Sequence, residues 1–325
     1  KIKIHASSPD QFLSTLIRTS SSEEFFDALN SQYSHLSTGK AITEKEYFSG
    51  AGMQLIVSPL REDAKILELA KKNELPDLIQ AADIRGIIHS HSNWSDGSNT
   101  IEEMAMGAID RGLEYLVISD HSKSAFYAQG LKEEKIREQH LYIDELNEKL
   151  YPFKIFKSIE SDILNDGSLD YSNDVLATFD LVIASVHSNL KMTLDKSMMR
   201  LLKAIENPYT SILGHMTGRL LLSRPGYPVD HDVIIDACVA NEVVIELNAH
   251  PNRLDMDWRH IRKAIEKGVL ISIDPDAHFI EGLDDTTFGV MVAQKAMVTK
   301  ENNLSSYSLA AFEKFVAARK KAKNI

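Results

Sequence analysis

Residues 85–97, RGIIHSHSNWSDG, join a short apolar run to a turn rich in histidine and aspartate. The same layout recurs along the chain, since several runs rich in Ile, Val and Leu end in polar residues and precede a helix-forming stretch. These runs are RGIIHSHS, EYLVISDHS, FKIFKSIES, LVIASVHS, TSILGHMT, EVVIELNAH and GVLISIDPDAH. Strands that alternate with helices are typical of a parallel α/β sheet, and seven of them approach a closed barrel.

The helices between these runs have signals of their own. Thr100 and Glu103 form a capping box before IEEMAMGAIDRG, and Gly112 is placed to end that helix. The pattern predicts further helices at 132–150, 194–206, 230–240 and 258–267. Near the end, SLAAFEKFVAARKKA has the spacing of an amphipathic helix.

Residues 1–82 follow a different pattern. SSPDQFLSTLIR and SSSEEFFDALNSQYSHLS predict helices, whereas ELPDLIQAADIRG predicts a linker. A chain of 325 residues also exceeds what one ordinary core supports. We therefore predict two domains: a small N-terminal α+β or helical module with its linker over 1–82, and the barrel with a C-terminal helix over 83–325.

Composition narrows the class of protein. With 43% hydrophobic and 26% charged residues, the chain has the composition of a globular protein. The net charge of −11, with no basic block except the C-terminal RKKAK, disfavours binding duplex DNA by bulk electrostatics. The single cysteine, Cys238, allows no intramolecular disulfide, and no apolar stretch is long enough to span a bilayer. We expect a cytoplasmic protein with no membrane partner, and we infer no obligate protein partner.

Six histidines and three carboxylates follow the ends of the predicted strands. They are His89, His91, Asp96, His121, Glu160, His187, His215, Asp276 and His278. Because the carboxyl ends of parallel strands meet at one end of a barrel, we expect all nine at one mouth. His89 and His91 are two residues apart in an extended segment, so both rings should leave the same face, and the same holds for Asp276 and His278.

These ligand types point to transition metals. Imidazole and carboxylate suit Zn, Mn or Fe, and nine ligands are too many for one ion. They indicate two or three cations, with Glu160 able to bridge a pair that clamps a phosphoryl group. A single histidine after a strand is more often a surface or core residue, and only the grouping of six favours a metal site. Of the remaining histidines, His250 is the candidate for contacting substrate or supporting a ligand, because it lies at a strand end. Ordinary surface roles are expected for most of the others: His5, His35, His140, His231 and His260.

The order of these motifs resembles a known family. HSHSNWSDG, SDHS, IESD, ASVHS, GHMTGRL and PDAH closely resemble the PHP (polymerase and histidinol phosphatase) domain over residues 83–300. DHSKSAFYAQGL, GHMTGRLLLSRPGYPVD and ELNAHPNRLDM are similar to the C-terminal PHP domain of bacterial family X DNA polymerases. SPDQFLSTLIRTSSSEE resembles the end of that polymerase's palm leading into its thumb. The resemblance implies a distorted, TIM-like (β/α)7 barrel, with a remnant of the thumb in residues 1–82.

The resemblance also implies three divalent metal ions. It assigns His89, His91, Glu160 and Asp276 to one ion; Asp96, His121 and His278 to a second; and Glu160, His187 and His215 to a third. The residues of the first set are the expected catalytic residues. The family hydrolyses phosphoesters with metal-activated water, and its polymerase-fused branch acts as a 3′–5′ exonuclease on DNA 3′ ends, often with Mn as the activating metal. Lys3 stands where the third polymerase aspartate would lie, so we expect no nucleotide addition.

Basic and aromatic residues lie beside the same strand ends. Lys123, Arg219 and Arg253 could meet charge on the phosphoryl group, or could instead form salt bridges to an acid such as Asp255. Aromatic side chains there could stack on a nucleobase, although such residues more often pack in the protein. They are Trp94, Phe126, Tyr127 and Tyr227.

Three functions remain open on sequence alone. The first is a nuclease acting on DNA ends or nucleotide phosphoesters, favoured by TGRLLLSRPGY, HPNRLD and the thumb-like start. The second is a phosphatase for a small monoester, of the histidinol phosphatase type, favoured by the net acidity. The third is a non-catalytic module that metals stabilise.

Overall fold

A computed structural model describes residues 2–33 and 43–325. The chain divides into two compact units. One comprises the residues up to Leu78 together with Gln294–Met297; the other comprises Ile79–Ala293 and Val298–Ile325. No helix within the described ranges is long and apolar enough to cross a bilayer.

The N-terminal unit is helical. Its helices are α1 (Phe12–Thr19), α2 (Glu23–Gln32), α3 (Glu44–Ser49) and α4 (Lys65–Lys72). Ser22 caps α2, and a capping box that includes Thr43 starts α3. The apolar faces of these helices form a core around Phe25 and Phe48. No strand occurs in the described part of 1–78, so the helical form of the predicted module is present; His35 and the end of its second predicted helical stretch lie outside the described residues.

The second unit is built on the predicted seven-stranded parallel sheet. The strands are β1 (Gly86–Ser90), β2 (Tyr115–Ile118), β3 (Lys154–Asp162), β4 (Leu181–Ser185), β5 (Ile212–Leu213), β6 (Val244–Asn248) and β7 (Ile271–Asp274). They pair in chain order, and all pairs are parallel. Beyond β7, Ala277 bridges Ser90 in parallel and accepts a hydrogen bond from the His91 amide at 2.8 Å. This contact brings the two edges together, so the sheet forms a nearly closed barrel, and the predicted fold is confirmed.

A helix follows each strand, and a further helix ends the unit; the helices predicted for this unit are among them. The helices are α5 (Ile101–Asp110), α6 (Glu133–Lys149), α7 (Asn173–Leu176), α8 (Leu194–Ile205), α9 (His231–Asn241), α10 (Trp258–Glu266), α11 (Thr286–Lys295) and α12 (Leu309–Lys323). The capping box of Thr100 and Glu103 starts α5, and Gly112 follows its end with φ +73°. Cys238 is buried in α9, where it packs as a small apolar residue.

The backbone departs from the sequence-based expectation at two residues of the mouth. His89 has φ +65° and Asp276 has φ +53°, so neither is extended, and the register of β1 against β2 shifts between Ile87 and Ser90. The prediction that simple strand alternation carries each histidine or aspartate pair is therefore wrong. A left-handed turn at one member of each pair aims these side chains instead.

Candidate metal centre

All nine predicted ligands lie at the carboxyl ends of the barrel strands. His89 and Glu160 are on β1 and β3 themselves. The others follow a strand end within a few residues: His91, Asp96, His121, His187, His215, Asp276 and His278. Six of the seven strand ends thus bring side chains from almost 190 residues of sequence to one mouth.

Glu160 lies at the centre of this cluster. Its Oε1 is 2.8 Å from His215 Nε2 and 3.1 Å from His187 Nε2, while its Oε2 is 3.0 Å from His121 Nδ1. Oε1 also lies 3.4 Å from His89 Nε2. A carboxylate with a different set of histidines at each oxygen has the geometry needed to bridge two cations.

Asp276 forms a second focus. Its Oδ1 is 3.1 Å from His91 Nε2 and 3.5 Å from His89 Nε2. Its Oδ2 accepts a hydrogen bond from Asn248 Nδ2 at 3.1 Å and lies 3.5 Å from Arg253 Nε. One oxygen therefore faces two histidines while the other is held in place from outside the cluster.

A third focus is more open. Asp96 Oδ1 is 3.4 Å from His278 Nε2 and 3.6 Å from His121 Nε2. His278 Nδ1 is fixed by the main-chain oxygen of Asp276 at 2.9 Å, which leaves Nε2 facing the cluster. The His91 and His278 rings stack with centroids 4.2 Å apart.

Three groups of these side chains have ligand atoms close enough to share a cation. They are His89, His91 and Asp276; His91, Asp96, His121 and His278; and His121, Glu160 and His187. These groups overlap strongly with the three sets that the family resemblance implies. The differences are that His91 and His121 each belong to two groups, that Glu160 belongs to one group and not to that of His89 and Asp276, and that His215 approaches Glu160 without joining a group of three.

The unsatisfied atoms of the cluster fit a metal. Five buried atoms of the proposed ligands make no hydrogen bond within the described part of the chain: His89 Nε2, His91 Nδ1, His121 Nδ1, Glu160 Oε2 and His215 Nδ1. The 3.0 Å contact between His121 Nδ1 and Glu160 Oε2 lacks the geometry of a hydrogen bond. Buried polar atoms without partners are costly unless a ligand satisfies them. Since these atoms are imidazole nitrogens and a carboxylate oxygen, the donor set suits a divalent transition metal.

The charges in the cluster are strongly coupled. Burial alone would raise the pKa of Glu160, but His187, His89 and His121 outweigh it and hold that pKa well below its usual range. Burial would lower the pKa of His187, but Glu160 and Asp162 outweigh it and raise the pKa to about 10. The carboxylates therefore stay ionised and favour positive charge beside them, which a cation can supply in place of histidine protons.

Burial and neighbouring rings act in the opposite direction at His91. Its side chain is enclosed, and both burial and the charges of His278 and His121 lower its pKa to about 3. His91 is thus a neutral imidazole, the form that ligates metals.

Two carboxylates that the sequence analysis missed orient the histidines. Glu246 Oε1 lies 2.5 Å from His89 Nδ1, and its other oxygen accepts the main-chain N–H of His215. Asp162 Oδ1 lies 2.9 Å from His187 Nδ1. Each contact directs the opposite ring nitrogen, Nε2, towards Glu160. Both acids stand at strand ends, in IELN and IESD, but only their position in space identifies their role.

Asp120 holds the loop that carries Asp96. It is fully buried and accepts hydrogen bonds from Ser92 N at 2.8 Å, Ser92 Oγ at 2.6 Å, Ser95 Oγ at 2.5 Å and Gln139 Nε2 at 2.7 Å. Burial nevertheless raises its pKa, because desolvation outweighs these bonds. The SDHS motif thus contributes a structural aspartate beside the proposed ligand His121.

The predicted cationic residues differ in their surroundings. Arg253 approaches the cluster through Asp276, as described above. Arg219 instead donates to the main-chain oxygens of Arg253 and Leu254 and pairs with Asp257 at 3.3 Å. Lys123 pairs with Glu133 at 2.7 Å and lies over the Tyr171 ring. The structure therefore brings Arg253 to the cluster and gives Arg219 and Lys123 partners elsewhere.

The other two predicted substrate contacts lie apart from the cluster. Trp94 is half-buried against the barrel core, stacks on Tyr142 with centroids 6.4 Å apart, and has Lys135 over its ring. His250 Nδ1 accepts the main-chain N–H of Asn252 at 3.2 Å. Neither joins the groups that could share a cation among the described residues.

Comparison with known proteins adds relatives of two kinds. The chain is 41% identical over 274 residues to the DNA polymerase/3'-5' exonuclease PolX of Bacillus subtilis, which covers 84% of this chain and 48% of that protein. It is 26% identical over 228 residues to a probable phosphatase of Thermoanaerobacter pseudethanolicus, covering 66% and 86% of the two chains. The chain thus spans about half the length of the PolX relative. No protein-family model matches it.

One solved structure resembles the barrel. The zinc, L-histidinol and phosphate complex of histidinol phosphate phosphatase from Lactococcus lactis matches with a TM-score of 0.49 and 17% identity, over 65% of this chain and 94% of that one. A likeness at this level does not bear on the activity.

Proposed function

We propose that the chain carries a PHP domain, a metal-dependent phosphoesterase domain related to that of the family X DNA polymerases, and that it is a 3′–5′ exonuclease acting on DNA ends. One observation carries the proposal: histidines from four strand ends converge on the two oxygens of the buried Glu160. Such a cluster can concentrate cations where a phosphodiester would lie. The 41% identity to a named exonuclease supports DNA as the substrate.

We propose that the nine mouth residues hold up to three divalent ions, with Mn as the activating metal. Divalent cations in such a site supply an activated water and neutralise charge on the phosphoryl oxygens. Glu160 and Asp276 would anchor the cations. The left-handed backbone at His89 and Asp276 sets the direction in which the side chains of these two residues leave the chain. Glu246 and Asp162 hold the His89 and His187 rings so that no reorientation is needed on binding.

Arg253 is the side chain best placed to receive a phosphate oxygen. Its guanidinium is partly exposed and lies 3.5 Å from Asp276 Oδ2, at the edge of the cluster. Arg219 holds the carbonyls of residues 253 and 254, so we assign it the positioning of that loop rather than a phosphate contact. Lys123 and Trp94 would contact the substrate only if they left their present partners within the protein.

A second candidate is hydrolysis of a small phosphomonoester. The net charge is −11, and the basic side chains of Arg219 and Lys123 already pair with acidic residues. Little positive charge is therefore left to bind a nucleic-acid backbone. The similarity to a probable phosphatase points the same way.

The N-terminal helical unit belongs to the exonuclease proposal. We propose that it corresponds to part of the thumb of a family X polymerase, on the basis of the SPDQF and SSSEEFF motifs and its helical structure. We also keep a cytoplasmic location as a proposal, because a single buried cysteine suits a reducing compartment.

Activity assays with Mn separate these functions. The substrates are a 3′-labelled single-stranded oligodeoxynucleotide, histidinol phosphate and p-nitrophenyl phosphate. Release of labelled mononucleotides supports the exonuclease. Turnover of the small esters alone would replace it with the phosphatase, and metal binding with no turnover of any substrate would leave only a metal-stabilised module.

A further inference from the structure

Two exposed aromatic rings lie beside the proposed metal ligands. Phe126 is 84% exposed and Tyr127 is 70% exposed, in a short 3₁₀ turn that follows β2. The Tyr127 ring centroid lies 6.1 Å from that of His121.

The loop that displays these rings is firmly held. The Leu131 amide donates to the His121 carbonyl at 2.8 Å, which closes the loop on a proposed ligand. Ser124 donates through N and Oγ to Asp170, at 2.6 and 2.5 Å. The Tyr171 hydroxyl accepts from Lys123 N at 3.0 Å and donates to the Leu131 carbonyl. The exposure of the rings is therefore a fixed feature of the backbone.

The residues flanking the rings are buried. Ala125 is 1% exposed and Ala128 is fully buried, so the turn is anchored on both sides while the two rings between them remain uncovered. The other aromatic residues predicted near the mouth are covered, since Trp94 packs on Tyr142 and Tyr227 is buried. A single exposed apolar side chain is ordinary, but two adjacent rings on a pinned loop beside a ligand cluster form a surface suited to a flat partner.

We propose that Phe126 and Tyr127 form a stacking site for the terminal nucleobases of a single-stranded nucleic acid whose end phosphodiester lies over the histidine and carboxylate cluster. This inference rests on the proposed exonuclease function. Every base has a π-face, so such a site binds any sequence. It also adds affinity to the phosphate contact proposed for Arg253, which matters because the chain is acidic and Arg219 and Lys123 are already paired.

The test compares strands with and without a terminal base. Binding of a 5′-fluorescein-labelled single strand is measured by anisotropy in EDTA, apart from turnover, and KM is measured with Mn. Each strand is paired with a matched strand whose 3′-terminal residue is abasic. The variants are Phe126→Ala, Tyr127→Ala and Tyr127→Phe, and the control is Tyr151→Ala. Tyr151 is 85% exposed but precedes β3, at the opposite end of the barrel.

Removing either ring should weaken binding of the complete strand about 5- to 150-fold, the change that corresponds to about 1–3 kcal/mol per stacked base. The abasic strand should lose much less, Tyr127→Phe should retain most of the affinity, and Tyr151→Ala should match wild type. The fold loss should be the same at low and high salt, because stacking releases no counterions.

Equal losses for complete and abasic strands would overturn the stacking site while leaving exonuclease activity in place. Ring-dependent binding of complete strands without hydrolysis would support the stacking site and reject the exonuclease function. If wild type neither binds nor cleaves the strands, both proposals fail.

Discussion

Two pairs of histidines in the barrel unit, one at the mouth and one away from it, have opposite shifts in pKa. At the mouth, His187 and His278 lie against carboxylates, which outweigh burial and raise their pKa values to about 10 and about 9. Away from the mouth, His231 at the start of α9 and His260 in α10 stack on each other, with centroids 3.5 Å apart and planes 6° apart. Burial and then the neighbouring ring lower the pKa of His231 to about 4, and burial lowers that of His260.

The difference shows that paired histidines alone do not make a metal site. The acids around the second pair are engaged elsewhere, since Asp232 pairs with Lys263 at 2.9 Å and Asp257 pairs with Arg259 at 3.0 Å. Among the described residues, neither His231 nor His260 joins a group of three possible ligands. At the mouth, a buried carboxylate faces each histidine, and that arrangement is what favours a cation.

The largest expected effect comes from removing the central carboxylate. Glu160→Ala should lower kcat/KM by about 1000-fold or more, because it removes a carboxylate that would hold the cations, and the cations would stabilise charge on the phosphoryl group. Metal content measured by mass spectrometry should fall, while circular dichroism stays that of wild type. His260→Ala is the matched control and should keep both metal and activity. Full activity in Glu160→Ala would contradict the site.

The next effect tests the orientation of a ring. Glu246→Gln keeps the size of the side chain that faces His89 but removes its charge, and we expect a 10- to 100-fold weaker affinity for Mn. Titration calorimetry of the metal-free protein measures it. The exposed Glu242→Gln, four residues away in the chain, serves as control. An unchanged Mn affinity would show that Glu246 is only a structural residue.

A third effect concerns stability. Because a cation that binds only the folded chain stabilises it, Mn at 100 times its dissociation constant should add about 2.7 kcal/mol to the free energy of unfolding. For a domain of this size that corresponds to roughly 5–10 °C in Tm. Differential scanning calorimetry should show this shift in wild type and in His260→Ala but not in Glu160→Ala. A shift of equal size in all three would place the stabilising cation away from the mouth.

The smallest effect separates the two histidine regions by pH. The folded pKa of His231 lies at about 4, below its usual value of 6.5, so its neutral form stabilises the fold above pH 6.5 and this contribution is lost as the pH falls towards 4. His231→Gln should therefore lose less stability than wild type between pH 7 and pH 5. Because the two rings are only half-buried, we expect the losses of unfolding free energy in the two proteins to differ by less than about 2 kcal/mol, as measured by urea unfolding. Parallel losses in both proteins would contradict the burial of a neutral pair.

The sequence predicts the barrel and the nine residues of the mouth because their signals are local. Each apolar run marks a strand, and each histidine or acid follows directly after it. The ends of parallel strands must then meet, whatever the distance along the chain. The four helices that the sequence predicts with numbered bounds also lie within two residues of the expected positions, for the same reason.

Other features depend on contacts between distant residues and could not be predicted. Glu246 reaches His89 across 157 positions of sequence, and Arg219 reaches the carbonyl of Arg253 across 34. The backbone is left-handed at His89 and Asp276, and neither position holds glycine, the residue that usually signals this conformation in a sequence. The pinned loop that exposes Phe126 and Tyr127 likewise depends on Asp170 and Tyr171, more than 40 residues away.

Anomalous diffraction from crystals grown with Mn tests the central claim most directly. We expect two or three peaks within coordination distance of Glu160, Asp276 and Asp96, and none at the stacked pair of His231 and His260. A mouth that shows no peak at saturating Mn, or a peak of equal height at the stacked pair, would contradict the account.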